Sequence, residues 1–147
     1  MTLRMAKLLY IVSISIICCA CNSQTFFRSS QLACTKWELV TEDSHTHLVE
    51  FKADTVTHVQ IFPTTGRTIS DDFLYSLSMQ RPTGYDTTVM RNPSTGIYYT
   101  EYSEKYGEMT TYEIITLTKD SLILRFKDDQ RNYIGGFDPI SKYKRIE

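Results

Sequence analysis

"YEIITLTKDSLILRF", residues 112–126, decides the fold. In its second half Leu122, Leu124 and Phe126 stand on one side, and Ile123 and Arg125 on the other. That period of two marks a strand with one face buried. The first half, extended back to Thr110, is long and rich in β-branched residues, whose crowded Cβ suits a pleated backbone. Thr118-Lys119-Asp120-Ser121 between the halves is turn chemistry. The stretch therefore reads as a β-hairpin.

The same period runs outward from it. "KWELV" (36–40) is a short strand. In "HLVEFKAD" (47–54) Val49 and Phe51 share one face, with Leu48, Glu50 and Lys52 on the other. "TVTHVQIF" (55–62) sets Val56, His58, Gln60 and Phe62 against Thr57, Val59 and Ile61. "DFLYSLSM" (72–79), "TTVMR" (87–91), "GIYYTEY" (96–102) and "KYKRI" (142–146) complete the series. The breaks at 52–55, 63–66, 81–84, 92–96 and 105–108 carry the Gly, Pro, Asp and Thr of hairpin turns, and Gly135-Gly136 suggests a bulge or sharp bend. Helical periodicity is missing; a short helix near Ser30–Cys34 is the one candidate. Short strands with short links predict an all-β fold, an antiparallel up-and-down β-barrel of about eight strands, closed because closure removes the edges.

The N-terminus belongs to a different physics. Met1 to Lys7 carries Arg4 and Lys7 and no acid, and Leu8 to Ala20 is almost wholly apolar. A basic stretch before a short apolar one is a signal peptide, too short to span a bilayer, which takes roughly 20 residues. Ala20 is the small residue before the cut, so residues 1–20 are removed and Cys21 leads the mature chain. Cys18-Cys19-Ala20-Cys21 resembles a bacterial lipobox, with Cys18 where leucine is usual. The resemblance implies that Cys18 and Cys19 are discarded and that Cys21 is acylated with palmitate-type chains. Several chains anchor durably where one is marginal. Ordinary cleavage at the same bond is the other reading, and leaves Cys21 free to pair with Cys34. With Cys21 acylated, Cys34 is the remaining thiol, expected as a small buried residue. Residues 21–33 read as a tether and 34–147 as the barrel domain. Losing Arg4 and Lys7 takes the net charge from −1 to −3, which gives no electrostatic case for nucleic acid.

"TKWELV", "VEFKADTVT", "YEIITLTKDSLILRF" and "YKRI" together resemble the lipocalin-like lipoproteins of the Bacteroidetes. The residues that match are Trp37, Phe51, Asp54, Tyr112, Leu117, Asp120, Leu122, Leu124 and Tyr143; Thr35 and Thr55 stand where that family has glycine. The resemblance implies a barrel with Trp37 as a structural plug under a basic side chain of the last strand such as Arg145. Surface-exported lipoproteins of that group carry acidic residues after the cysteine, and Asn22-Ser23-Gln24 has none, so the resemblance implies an anchor in the outer membrane facing the periplasm.

Chemistry is sparse. His45 and His47 lie at i, i+2, and His58 comes near from the next strand, but without a cysteine or tight spacing they predict no metal. Asp71-Asp72 and Asp128-Asp129 read as solvated loop charge. Gly-x-Ser-x-Gly, His-Glu-x-x-His and a phosphate loop are all missing, so neither an enzyme nor a cofactor is expected. The tyrosines of "GIYYTEY" suit an amphipathic ligand. The expected function is a membrane-anchored lipoprotein that binds a small hydrophobic or amphipathic ligand in the barrel, lined by Tyr98, Tyr102, Phe62 and Tyr112. The other reading is a filled barrel whose loops bind an envelope protein, as small barrels fill themselves with side chains.

Overall fold

The computed structural model describes residues 25–41, 44–84, 94–127 and 140–147. In chain order the elements are β1 (Phe27–Arg28), α1 (Ser29–Leu32), β2 (Thr35–Leu39), β3 (Thr46–Phe51), β4 (Thr55–Phe62), β5 (Arg67–Ser78), β6 (Thr95–Gly96), β7 (Tyr98–Ser103), β8 (Glu108–Leu117), β9 (Ser121–Phe126) and β10 (Ile140–Arg145). Eight of the strands close an antiparallel barrel in the order β10-β2-β3-β4-β5-β7-β8-β9. Each therefore pairs with its sequence neighbour in the barrel, and β10 returns to β2, so no barrel strand is left as an edge. β1 and β6 form a separate two-stranded ribbon. "TTVMR", Gly135-Gly136, Asp128-Asp129 and Cys21 lie outside the described residues.

The hairpin that opened the sequence reading is β8–β9, with Leu117 opposite Leu122 and Ile114 opposite Leu124. A register shift between Ile114 and Thr116 leaves Ile115 on the outside, 39% exposed, and restores the inward alternation beyond it. β5 begins at Arg67, so Asp71 and Asp72 lie in a strand rather than in the expected loop.

The segment expected as a tether contributes to the folded unit. Phe27 and Leu32 are buried with the core, and the helix at Ser29–Leu32 sits slightly earlier than the sequence suggested. Cys34 follows it with φ 60 and is exposed, which corrects its expected burial. Its backbone sits in the left-handed region, the sharp turn between α1 and β2. Gly96 is required by contact: a Cβ there would lie 2.1 Å from the Ser78 carbonyl oxygen, so only glycine lets the ribbon approach β5.

Alternation sends Thr35, Trp37, Val49, Phe51, Val56, Tyr75, Leu77, Tyr99, Ile114, Leu122 and Leu124 inward. Trp37, Val56, Tyr75 and Leu77 are 0% exposed, and Phe51 and Tyr99 1%. The rings interlock mainly edge to face: Phe51 stands 5.3 Å from Tyr75 and 5.6 Å from Tyr99, while Tyr99 stacks on Tyr112 at 5.7 Å. The Trp37 indole N–H donates to Thr35 Oγ1 at 2.7 Å, and that hydroxyl donates to the Leu32 carbonyl. The guanidinium of Arg145 lies over the Trp37 ring, 5.9 Å from its centroid.

Candidate functional site

Of the expected ligand-lining residues, the structure brings no group together. Tyr98 and Tyr102 share their strand's face with Thr100, opposite the inward Tyr99 and Glu101. Tyr112 lies in the packed interior, stacked on Tyr99 and edge-on to Phe126. Phe62 is at the end of β4, stacked on His45 at 5.5 Å. A calyx lined by these four does not form, because Tyr99 takes the inward face of its strand and packs on Tyr112, which leaves Tyr98 and Tyr102 on the opposite face.

A different group converges. The turns 63–66 and 104–107 lie at one end of the barrel, and towards that end the packed layer gives way to polar side chains. His47 of β3 and His58 of β4 both point inward. Glu101 of β7 faces them across the barrel. His58 Nε2 lies 2.7 Å from Glu101 Oε1, and His58 Nδ1 lies 3.0 Å from His47 Nε2. The Tyr99 hydroxyl donates to the same carboxylate oxygen. Tyr99, Glu101, His58 and His47 thus form one hydrogen-bonded chain from the packed core to the mouth. The side chains of Glu101 and His58 are only 7% and 18% exposed. Beside the chain is a cup of about 180 Å³ lined by His47, His58, Gln60, Ile69, Asp71 and Phe73. His58 and Asp71 are direct cross-strand partners, as are His47 and Gln60.

Charge is distributed along this chain by burial and by pairing. Burial alone would push His58 down, but the Glu101 carboxylate, by its charge and its hydrogen bond, outweighs that and raises it above 6.5, with Asp71 adding to the effect. Burial likewise works against an ionised Glu101, and His58 and the Tyr99 hydroxyl overcome it, so Glu101 is held below the usual carboxylate range. His47 is lowered to about 4, by burial first and by the His58 charge second. These directions favour a Glu101–His58 ion pair beside a neutral His47. His58 then donates from both ring nitrogens, and His47 accepts through Nε2 and keeps its own N–H on Nδ1. The Tyr99 and Tyr143 hydroxyls are pushed well up by burial and by Glu101, so both stay protonated.

These shifts predict a stability optimum near neutrality. His47 resists protonation in the fold, so the unfolded chain binds the extra proton first, and stability falls from about pH 6.5 to about 4. The Glu101 contribution is present above its unfolded value and is lost as pH falls through its lower folded one. The His58 contribution is full below 6.5 and is lost as pH rises through its higher folded value. Thermal unfolding followed across pH 4–9 should show both limbs, with the acid limb shallower in His47→Gln. An unchanged acid limb would mean that His47 does not carry it.

Sequence reasoning noticed the histidines and missed Glu101, their partner 43 residues away. The available signal was a lone carboxylate on the same side of "GIYYTEY" as Tyr99. No known protein family, curated protein or solved structure matches the chain.

Proposed function

We propose that the chain is a cell-envelope lipoprotein, held through acylated Cys21 to the outer membrane on its periplasmic side, whose barrel binds a small amphipathic molecule in the histidine cup. The cup supports this reading because it combines apolar walls, Ile69 and Phe73, with the polar His47, Gln60 and Asp71. A few placed polar groups in an otherwise apolar wall are what orient a ligand. The packed layer of Trp37, Phe51, Tyr75 and Tyr99 closes the barrel's middle, so the apolar ligand surface buried at about 25 cal/mol per Å² is limited to the cup. Its 180 Å³ equals about six waters by liquid volume, below the ~300 Å³ at which drug-sized pockets begin. The ligand is therefore compact.

Native mass spectrometry of the full-length protein, gently extracted from its own membrane, tests this. A discrete small adduct on the acylated chain is expected, and Ile69→Trp, which fills the cup, should abolish it. An acylated chain with no small adduct would sink the ligand reading. The packed middle layer favours a second reading, a filled barrel that meets another envelope protein through its turns, with no catalysis. Recovery of a stoichiometric second chain in the same spectrum would support that one.

A further inference from the structure

We propose that His47 and His58 are the two nitrogen ligands of a divalent transition-metal site of the zinc or copper class, completed by Asp71 and water. The inference goes beyond the ligand reading and does not depend on it. Two imidazole nitrogens bound to one ion at about 2.0–2.1 Å stand about 2.9–3.4 Å apart, depending on whether the angle between them is nearer a right angle or tetrahedral. His47 Nε2 and His58 Nδ1 are 3.0 Å apart and face each other. A bound ion needs only a slight opening of the pair.

The second observation is Glu101. A histidine that ligates metal commonly donates its other ring N–H to a carboxylate, which fixes the tautomer and raises the basicity of the ligating nitrogen. His58 has that arrangement: Nε2 is held by Glu101 at 2.7 Å, which leaves Nδ1 as the outward donor atom. The Tyr99 hydroxyl in turn holds the carboxylate. This support is buried and reaches back into the packed core, so the His58 ring is set rigidly while the cup remains open to one side.

Asp71 is the third ligand by position. It is the cross-strand partner of His58, it lines the same cup, and its side chain is 35% exposed with an exposed lysine, Lys105, at 3.5 Å. Among the described residues no three His, Cys, Asp or Glu side chains already converge on one point. The preformed part is the imidazole pair, and Asp71 turns inward from its loose contact with Lys105 when the ion arrives. As the ion enters, the proton shared by the two rings leaves to solvent. The ion's two positive charges are then matched by the Glu101 and Asp71 carboxylates. Imidazole with one carboxylate suits zinc and copper rather than calcium or magnesium, which take oxygen shells. Three protein ligands leave at least one position in the cup for water or a small anion.

The experiment is a competition titration of Zn(II) against a chromophoric chelator, with the full-length chain in detergent. One ion per chain is expected. His47→Ala should weaken binding at least tenfold, Asp71→Asn measurably, and Glu101→Gln by about 10–100-fold although it touches no metal. His45→Gln should cost far less than His47→Ala, since the His45 ring is taken up in stacking on Phe62. Asp71→Asn is the variant to rely on if His47→Ala fails to fold, because the Asp71 side chain is partly exposed. Absence of stoichiometric zinc binding, or binding that His47→Ala and Asp71→Asn leave untouched, would overturn the proposal. So would an equal loss in His45→Gln. The small-molecule adduct is read separately, by mass spectrometry of the extracted protein, so failure of one reading is distinguishable from failure of the other.

Discussion

Trp37→Ala is expected to lower stability by about 3–5 kcal/mol, the range for truncating a fully buried large aromatic side chain. For a domain of this size that is a fall of roughly 10–20 °C in Tm. Trp37 is 0% exposed and belongs to the same packed layer as Phe51 and Tyr75, so the cavity left behind cannot be filled by water or by easy collapse. The loss also reaches α1. The indole holds the Thr35 hydroxyl, and that hydroxyl holds the Leu32 carbonyl, so one truncation loosens the last turn of α1. Arg145→Met separates the plug from its cation. It keeps the apolar stem over the ring and removes the charge, and should cost only about 0.5–1 kcal/mol. Equilibrium denaturation of the two variants decides the matter. A Trp37→Ala cost no larger than that of Arg145→Met would show that the layer is looser than its burial implies.

The barrel was legible because strand alternation and turn residues are local. "SLILRF" announces its inward face without help, since Leu122 and Leu124 have no polar competitor for the core. The pairing of β2 to β5 and of β7 to β9 follows from the short links between such stretches. The site was not legible for the opposite reason. In "GIYYTEY" aromatic residues fall on both faces, and alternation alone cannot choose between Tyr98 with Tyr102 and Tyr99 with Glu101. A carboxylate ordinarily marks the solvent side, because burying it unpaired is expensive. Here the charge goes inward because His58 meets it from β4, a contact fixed only when the barrel closes. The burial of Phe27 and Leu32 was hidden in the same way. β6, the partner of β1, is distant in sequence, and the core that takes in Leu32 is built by the whole barrel, so a stretch with two phenylalanines in polar company reads as a tether.

Glu101→Leu should be as damaging as the loss of Trp37, at about 3–5 kcal/mol, and for an electrostatic reason. The substitution leaves the mostly buried His58 without its counter-charge and the Tyr99 hydroxyl without its acceptor. A second substitution, Glu101→Leu with His58→Leu, removes the orphaned charge and should recover much of the loss. It should not recover all of it, because an unpaired buried hydroxyl still costs about 1–3 kcal/mol. Adding Tyr99→Phe removes that cost too. The triple variant is therefore expected within about 1–2 kcal/mol of the natural chain, as replacing a buried ion pair by packed apolar groups is often neutral or stabilising. Chemical denaturation of the series gives the coupling energies directly. If the triple variant remains as unstable as Glu101→Leu, the polar chain is itself what holds this end of the barrel together. If it recovers, the fold has no need of Glu101 and His58, and their presence is explained by what they hold at the cup: a rigid imidazole with one nitrogen turned outward beside His47.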